Sequence, residues 1–182
     1  MYDEPMRGST RRKPLDEAGL YDHAIRALAS RGRSVAEIKR LLRPRAGGDN
    51  PEALVDAVVD RLKQQNYLND RSYAASYSRY RRDNQKLGRM RVVSDLKARG
   101  VHGEVIREAV AEAYDETDEE QQARAFLARK RVRRPAGDRD AARIFRMLMR
   151  AGFGKRSIIR VLNAWEVDPE TLTALESESE GE

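Results

Sequence analysis

The sequence contains no cysteine and only two histidines. Without cysteine the chain forms no disulfide and performs no thiolate chemistry, which is typical of a cytosolic protein. His23 and His102 lie far apart in the sequence, so they make no recognisable zinc site. We therefore expect neither a metal nor another cofactor.

Long apolar runs are also missing. No segment approaches the roughly 18 consecutive apolar residues that a membrane-spanning helix requires. The N-terminus, with Arg11-Arg12-Lys13-Pro14, does not lead into the apolar region of a signal peptide. Apolar residues make up 40% of the chain and charged residues 36%, which is typical of a helix-rich protein with small cores. We expect a cytoplasmic protein with no membrane association.

Two segments superficially resemble ligand-binding loops. Residues 152–157 (GFGKRS) lack the glycine spacing and the preceding strand of a phosphate loop, so we interpret them as a turn between helices. Residues 115–120 (DETDEE) lack the alternation and the glycine of a calcium loop, and their carboxylates suit the N-terminus of a following helix. We predict no catalytic residues and no enzymatic activity.

Charge is unevenly distributed along the chain. Residues 166–182 contain seven acidic residues and no lysine or arginine, so residues 1–165 carry a net charge of +13 against +6 for the whole chain. A cationic body attracts polyanions, and an acidic tail can compete for the same surface. The alternative is that both termini are solvated, disordered ends without a binding role.

One sequence pattern occurs three times, centred on Leu42, Leu96 and Leu148. The second and third copies are 52 residues apart and align Gly100 with Gly152, whereas the first copy lies 54 residues before the second. A repeat of about fifty residues without strand signals predicts small helical modules. We therefore predict an all-α fold of three tandem three-helix modules, similar to helix-turn-helix repeats, in an elongated, curved array.

Start and stop signals predict the boundaries of these modules and of about nine helices. Ser34 and Glu37 form a capping box, Asn50 and Pro51 begin another helix, and Thr117 is the expected N-cap of a later one. The predicted segments are a disordered basic tail at 1–15, modules at 16–68, 69–116 and 117–166, and a disordered acidic tail at 167–182. In the second and third modules the predicted helices span 70–84, 88–99, 103–114, 117–134, 138–150 and 155–165.

Apolar residues at helical spacing predict one small core in each module. The expected core of the second module contains Val92, Leu96, Val105, Ile106 and Val110, and that of the third contains Phe126, Ile144, Leu148, Phe153, Ile158 and Leu162. Tyr73 and Tyr77 fall on the core-facing side of their helix, and Trp165 is expected to cover the third core. Tyr80, between arginines, is the tyrosine best placed for an exposed contact.

Clusters of basic residues are the candidate contact points for a partner. Arginine suits both phosphates and carboxylates, so the sequence leaves open whether these residues contact nucleic acid or acidic protein surfaces. The alternative is that they offset helix dipoles and remain solvated. The candidates are Arg79, Tyr80, Arg81, Arg82, Arg89, Arg91, Arg129, Lys130, Arg131, Arg133, Arg134, Lys155 and Arg156.

A longer pattern resembles a known family. Residues 67–74 (YLNDRSYA), followed by Tyr77, Arg79, Gly88 and Arg91 and then by residues 96–101 (LKARGV), are similar to the central signature of the RecX regulatory proteins. The upstream Ala27-Leu28, Arg31-Gly32-Arg33-Ser34 and Glu37-Ile38 resemble that family's opening repeat. The resemblance spans residues 20–165.

The resemblance implies a function as well as a fold. RecX-like proteins are built from tandem three-helix modules, bind along the helical groove of the RecA filament on DNA, and inhibit its recombinase, ATPase and coprotease activities without being enzymes. The implied partners are the RecA protein and the RecA–DNA filament, with weak direct binding to single- or double-stranded DNA, and the implied state is a monomer. From the residues alone, a helix-turn-helix protein that binds duplex DNA directly as a transcriptional or architectural factor remains the alternative.

Overall fold

The computed structural model describes residues 13–178, so the expectations for residues 1–12 and 179–182 lie outside the described residues. Within the described range there are ten α-helices, one short 3-10 helix at Arg43–Arg45, and a single isolated β-bridge between Leu15 and Ala46. The all-α prediction is therefore confirmed. The helices fall into two compact units that divide between Asn69 and Asp70.

The first unit contains three α-helices and the 3-10 helix. Its α-helices are α1 (Glu17–Ser30), α2 (Val35–Leu42) and α3 (Pro51–Gln64). The predicted capping box at the start of α2 is present, since the Ser34 side chain accepts from the backbone N–H of Glu37 and the Glu37 side chain accepts from that of Ser34. The Asn50 side chain caps α3 by accepting from the backbone N–H of Ala53. Leucine, isoleucine and valine side chains from the three helices close one core, with Leu20, Ile38, Leu42, Val55, Val58, Val59 and Leu62 fully buried.

The second unit contains the remaining seven helices. They are α4 (Asp70–Gln85), α5 (Arg89–Ala98), α6 (Gly103–Tyr114), α7 (Glu119–Arg129), α8 (Asp138–Arg150), α9 (Lys155–Asn163) and α10 (Pro169–Glu178). The repeat is visible in the backbone, because Gly100 after α5 and Gly152 after α8 both adopt positive φ, at 76° and 89°. Helices α4–α6 form the second module and α7–α9 the third.

Each of these two modules has the core that the sequence predicted. All the predicted residues of the third core are buried, and those of the second are buried except Val105, which is partly buried. Tyr73 and Tyr77 pack against the second core and Trp165 against the third, as expected. Tyr80 is 55% exposed.

Helix α7 is shorter than predicted at both ends. Asp118 rather than Thr117 is its N-cap, accepting from the backbone N–H groups of Glu120 and Gln121 at 2.9 and 3.2 Å. The helix ends at Arg129 instead of Arg134, because Arg131 takes a left-handed conformation with φ 54°. The basic run therefore continues from the helix into a loop that leads to α8.

The acidic C-terminal segment also differs from the expectation of disorder over 167–182. Residues Pro169–Glu178 form α10, which packs on α8 and α9 and buries Leu172 and Leu175 to 5% exposure. The Asp168 side chain accepts from the backbone N–H groups at the start of this helix. Among its many acidic residues this segment contains two helix signals, the N-cap Asp168 and the apolar pair Leu172 and Leu175. Because the pair is three residues apart, both side chains lie on one side of the helix and can dock it on the core.

The second and third modules are joined by a close backbone contact. The N–H of Gly88 donates to the carbonyl of Ala151 at 2.9 Å, and that of Met90 to the carbonyl of Gly152 at 3.1 Å. A Cβ atom on Gly152 would lie 2.1 Å from the backbone nitrogen of Arg91, so only glycine fits there. Leu87 packs against both cores. This junction fixes the two modules against each other and leaves a groove between them.

Candidate functional site

A groove of about 920 Å³ lies between the second and third modules. Leu87, Phe126, Met147 and Ala151 contribute apolar side chains to it, and within residues 13–178 Asp140 is the only carboxylate that lines it. Its basic lining residues are Arg81, Arg91, Arg129, Lys130, Arg131, Arg133, Arg134, Arg143 and Arg150. The junction and the loop after α7 therefore gather seven of the thirteen candidate residues around one concave surface.

Two of these arginines share one carboxylate behind the groove wall. Asp95 on α5 lies 2.9 Å from Nη2 of Arg81 and 3.0 Å from Nε of Arg91, and its side chain is 14% exposed. The hydroxyl of Tyr77 also donates to Asp95 at 2.9 Å and accepts from Nε of Arg81 at 2.7 Å. This carboxylate therefore offsets one of their two positive charges within the fold.

Five other cations of the groove have no such partner. Arg134 pairs with Glu166 at 3.8 Å and Arg143 with Asp140 at 3.4 Å, and both of these pairs are exposed to solvent. Within residues 13–178, no carboxylate lies at ion-pair distance from the remaining five, which are Arg129, Lys130, Arg131, Arg133 and Arg150. We call these five residues the unpaired cluster. They give the groove a strong positive potential that suits a polyanion.

Arg143 and Arg150 are groove residues that were absent from the candidates predicted from the sequence. Together with Arg139 and Arg146 they occupy one exposed face of α8, at spacings of four, three and four residues. Residues with this spacing share a helix face. The signal is present in the sequence, although the apolar side of the helix dominates its pattern.

Several candidate residues lie outside the groove. Arg79 pairs with Glu112 on α6 at 2.7 Å, and Arg82 pairs with Asp83 at 2.7 Å and donates to the carbonyl of Ala113. These contacts stabilise the second module. Arg89 lines a separate cavity of about 190 Å³. Tyr80 is not among the groove lining residues.

Lys155 and Arg156 lie at the start of α9, also outside the groove. The carboxylate of Glu119 accepts from the backbone N–H of Gly154 at 2.9 Å and from the Ser157 hydroxyl at 2.6 Å. The N-terminus of α9 is thus occupied by a side chain of the protein itself. Residues 152–154 form the predicted turn between helices, and residues 155–157 are already the first turn of α9.

Metal clusters and membrane spans are both absent from the described part of the chain. Residues 13–178 contain no group of three or more His, Cys, Asp or Glu side chains arranged to hold a metal ion. None of the helices in this range is long and apolar enough to cross a membrane.

Comparison with known proteins identifies the family. A family model described as the second three-helix domain of RecX matches residues 69–110. The regulatory protein RecX of Mycolicibacterium vanbaalenii is 32% identical, with 77% of this chain and 78% of that protein covered. The regulatory protein RecX of Leptothrix cholodnii is also 32% identical, with 80% and 88% covered.

Solved structures agree in fold. The crystal structure of RecX from Lactobacillus salivarius matches with a TM-score of 0.63 at 20% identity, covering 83% of this chain and 97% of the other. A second crystal structure of a regulatory protein RecX gives a TM-score of 0.64 at 22% identity, covering 81% and 71%. Both support repeated three-helix modules. From the sequence relatives and the shared fold together, the chain belongs to the RecX family of regulatory proteins.

Proposed function

We propose that this protein binds the RecA–DNA filament along its helical groove and inhibits the recombinase, ATPase and coprotease activities of RecA. It acts in the cytoplasm as a monomeric regulator of DNA repair and the SOS response, and not as an enzyme. The observation that carries the proposal is the unpaired cluster, five cations on one concave surface of a RecX family member with no carboxylate at ion-pair distance within residues 13–178.

The chemistry of the groove matches such a filament. DNA in the filament presents a continuous row of phosphates, and a protein that neutralises them gains affinity by releasing counterions. Four of the five unpaired cations are arginines, whose planar guanidinium groups bind phosphate or carboxylate oxygens in pairs. The groove can therefore contact both components of a nucleoprotein surface.

Occupation of the filament groove accounts for inhibition by competition. A protein lodged there hinders the entry of homologous DNA and of the repressor, and it opposes filament growth or favours disassembly. Several weak contacts from one chain add up through their high effective concentration. Each module can therefore bind weakly by itself while the whole chain binds tightly.

The test is ATP hydrolysis by RecA on single-stranded DNA during titration with this protein. We expect suppression below equimolar amounts by the natural protein and at least a tenfold higher half-inhibitory concentration for Arg131→Glu with Arg133→Glu, since about 1.4 kcal/mol of lost binding corresponds to tenfold. Both variant residues lie in the groove loop, away from the module cores. Equal inhibition by the variant and the natural protein would remove the groove from the interface.

A matched control separates the effect of the groove residues from the effect of a change in net charge. Arg26→Glu with Arg107→Glu makes the same charge change at exposed positions that do not line the groove. This control should inhibit RecA like the natural protein. If the protein has no effect on RecA but binds bare duplex DNA, with affinity falling by about 0.9 log units per log unit of salt for each neutralised phosphate, a direct DNA-binding function replaces the proposal.

A further inference from the structure

Asp95 is a partly buried carboxylate that contacts two arginines of the groove. Its side chain is 14% exposed, and both of its oxygens contact groove arginines: Oδ2 lies 2.9 Å from Arg81, and Oδ1 lies 3.0 Å from Arg91. The two arginines come from different helices, α4 and α5, and line the same wall. One carboxylate therefore holds two cations and offsets one of their two positive charges, on a surface that is otherwise rich in unpaired positive charge.

The contact of Asp95 with Arg81 is shorter and less exposed than two other ion pairs of groove arginines, Arg143 with Asp140 and Arg134 with Glu166. Asp140 meets Arg143 at 3.4 Å with both side chains about half exposed, and such surface pairs are screened and weak. The Arg81 side chain is 21% exposed and is also held by the Tyr77 hydroxyl and by the side chain of Gln85. A partly buried pair with several hydrogen bonds is screened much less by salt.

The charge of Asp95 is not the only interaction that holds this wall of the groove in place. Arg81 lies over the Tyr77 ring at 4.8 Å and Arg99 over the same ring at 4.9 Å, so cation–π contacts also fix this wall. An asparagine at position 95 keeps the shape and one oxygen acceptor, which suits Tyr77 and Arg81, while its NH2 group faces Arg91. What it removes is the one negative charge that two groove cations share.

We propose that Asp95 limits the affinity of the groove for polyanions and so determines its specificity. Because Arg81 and Arg91 are paired with Asp95, they contribute less to phosphate binding, and the affinity for free nucleic acid stays low. Tight binding then needs the additional contacts of the RecA filament. Specificity is a difference between affinities, and lowering the affinity for the wrong partner raises it. The inference rests on the proposed function, because it assumes that the groove receives a polyanion.

The experiment compares Asp95→Asn with Glu112→Gln. Both substitutions remove one negative charge and release arginine, but Glu112 releases Arg79, which lies outside the groove. The probe is a single-stranded oligothymidylate without RecA, followed by fluorescence anisotropy over a range of salt concentrations. We expect about fivefold tighter binding for Asp95→Asn, the effect of roughly one added unit charge at contact distance in water. Glu112→Gln should change the affinity less than about twofold.

The salt dependence is the readout that a merely structural role would not change. For Asp95→Asn the slope of log affinity against log salt should steepen by about 0.7 for each newly contacted phosphate of a single strand. An equal gain for both variants, or an unchanged slope, would show an effect of net charge alone and overturn the proposal.

Tyr77→Phe provides a second variant that leaves all charges in place. It deletes the hydroxyl that joins Asp95 to Arg81. We expect a smaller gain in affinity for oligothymidylate, about twofold, because the ion pair between Asp95 and Arg81 is weakened but still present. Far-ultraviolet circular dichroism checks that both variants are folded. If Asp95→Asn does not fold, an unchanged affinity for Tyr77→Phe overturns the inference.

The two levels of proposal fail separately. If Arg131→Glu with Arg133→Glu weakens oligothymidylate binding but Asp95→Asn matches Glu112→Gln, only the role of Asp95 is lost. If neither groove variant changes oligothymidylate binding or RecA inhibition, the groove is not the polyanion site and the proposed function loses its main support.

Discussion

Gly152 shows how strongly a single residue can constrain this protein. Its φ of 89° is in the left-handed region, and its α-hydrogens face the backbone of Arg91 at the start of α5. Gly152 follows the C-cap residue of α8 and forms part of the junction between the second and third modules, since its carbonyl accepts from the N–H of Met90. Loss of this contact would separate the two walls of the groove.

We therefore predict that Gly152→Ala destabilises the second unit by about 2–4 kcal/mol, the sum of left-handed strain and overpacking against a backbone that cannot easily move. Urea denaturation followed by circular dichroism measures the change. Gly103→Ala is the control, because a Cβ there meets nothing within 4 Å and the position is the first of α6. The control should be neutral or slightly stabilising, and a similar loss for both variants would contradict the argument.

At the scale of an element, α10 changes the interpretation of the acidic C-terminal segment. Its acidic residues suggested a solvated tail, yet Leu172 and Leu175 are buried against the third core together with Val167 and Trp165. The Thr171 hydroxyl donates to Asp138 at the start of α8 at 2.8 Å. The third module is thus closed by a fourth helix.

Leu175→Ala should lower the free energy of unfolding by about 2–4 kcal/mol, because it deletes a buried side chain from the edge of a small core. Thermal unfolding followed by circular dichroism tests this. Ala174→Ser, on the exposed side of the same helix, should cost no more than about 0.5 kcal/mol. Equal melting temperatures for the two variants would show that α10 adds nothing to the third core.

At the scale of the whole molecule, the two compact units are the relevant parts. The unpaired cluster lies entirely in the second unit, and the first unit has its own core. If both units contact the filament, joining them raises the effective concentration of the second contact once the first has formed. The chain then gains affinity from linkage as well as from any single surface.

We predict that removal of residues 1–69 raises the half-inhibitory concentration in the RecA ATPase assay more than tenfold, although the basic groove is retained. Circular dichroism of the remaining fragment checks that its helices persist. The first unit added separately should not restore the inhibition, because the effect depends on the covalent link. Undiminished inhibition by the fragment would assign the whole function to the second unit.

Much of the fold could be predicted from the sequence, since helix signals are local. The Ser34–Glu37 capping box, the alignment of Gly100 with Gly152 and the apolar spacing around Leu96 and Leu148 are all patterns in the order of residues along the chain. Each of them therefore predicts its helix, turn or core from the sequence alone. The end of α7 was not predictable in this way. The basic run contains no stop signal before Pro135, but the left-handed conformation of Arg131 ends the helix earlier.

The sequence by itself determined the repeat, the cores, the cationic character and the family of this protein. The tertiary structure alone decided which cations remain available to a partner. Arg79 pairs with Glu112, thirty-three residues away in the sequence, and Arg81 pairs with Asp95, fourteen residues away. The unpaired cluster has no carboxylate at ion-pair distance within residues 13–178. Helix formation follows from neighbours along the chain, whereas charge pairing follows from neighbours in space, which exist only after the modules have packed.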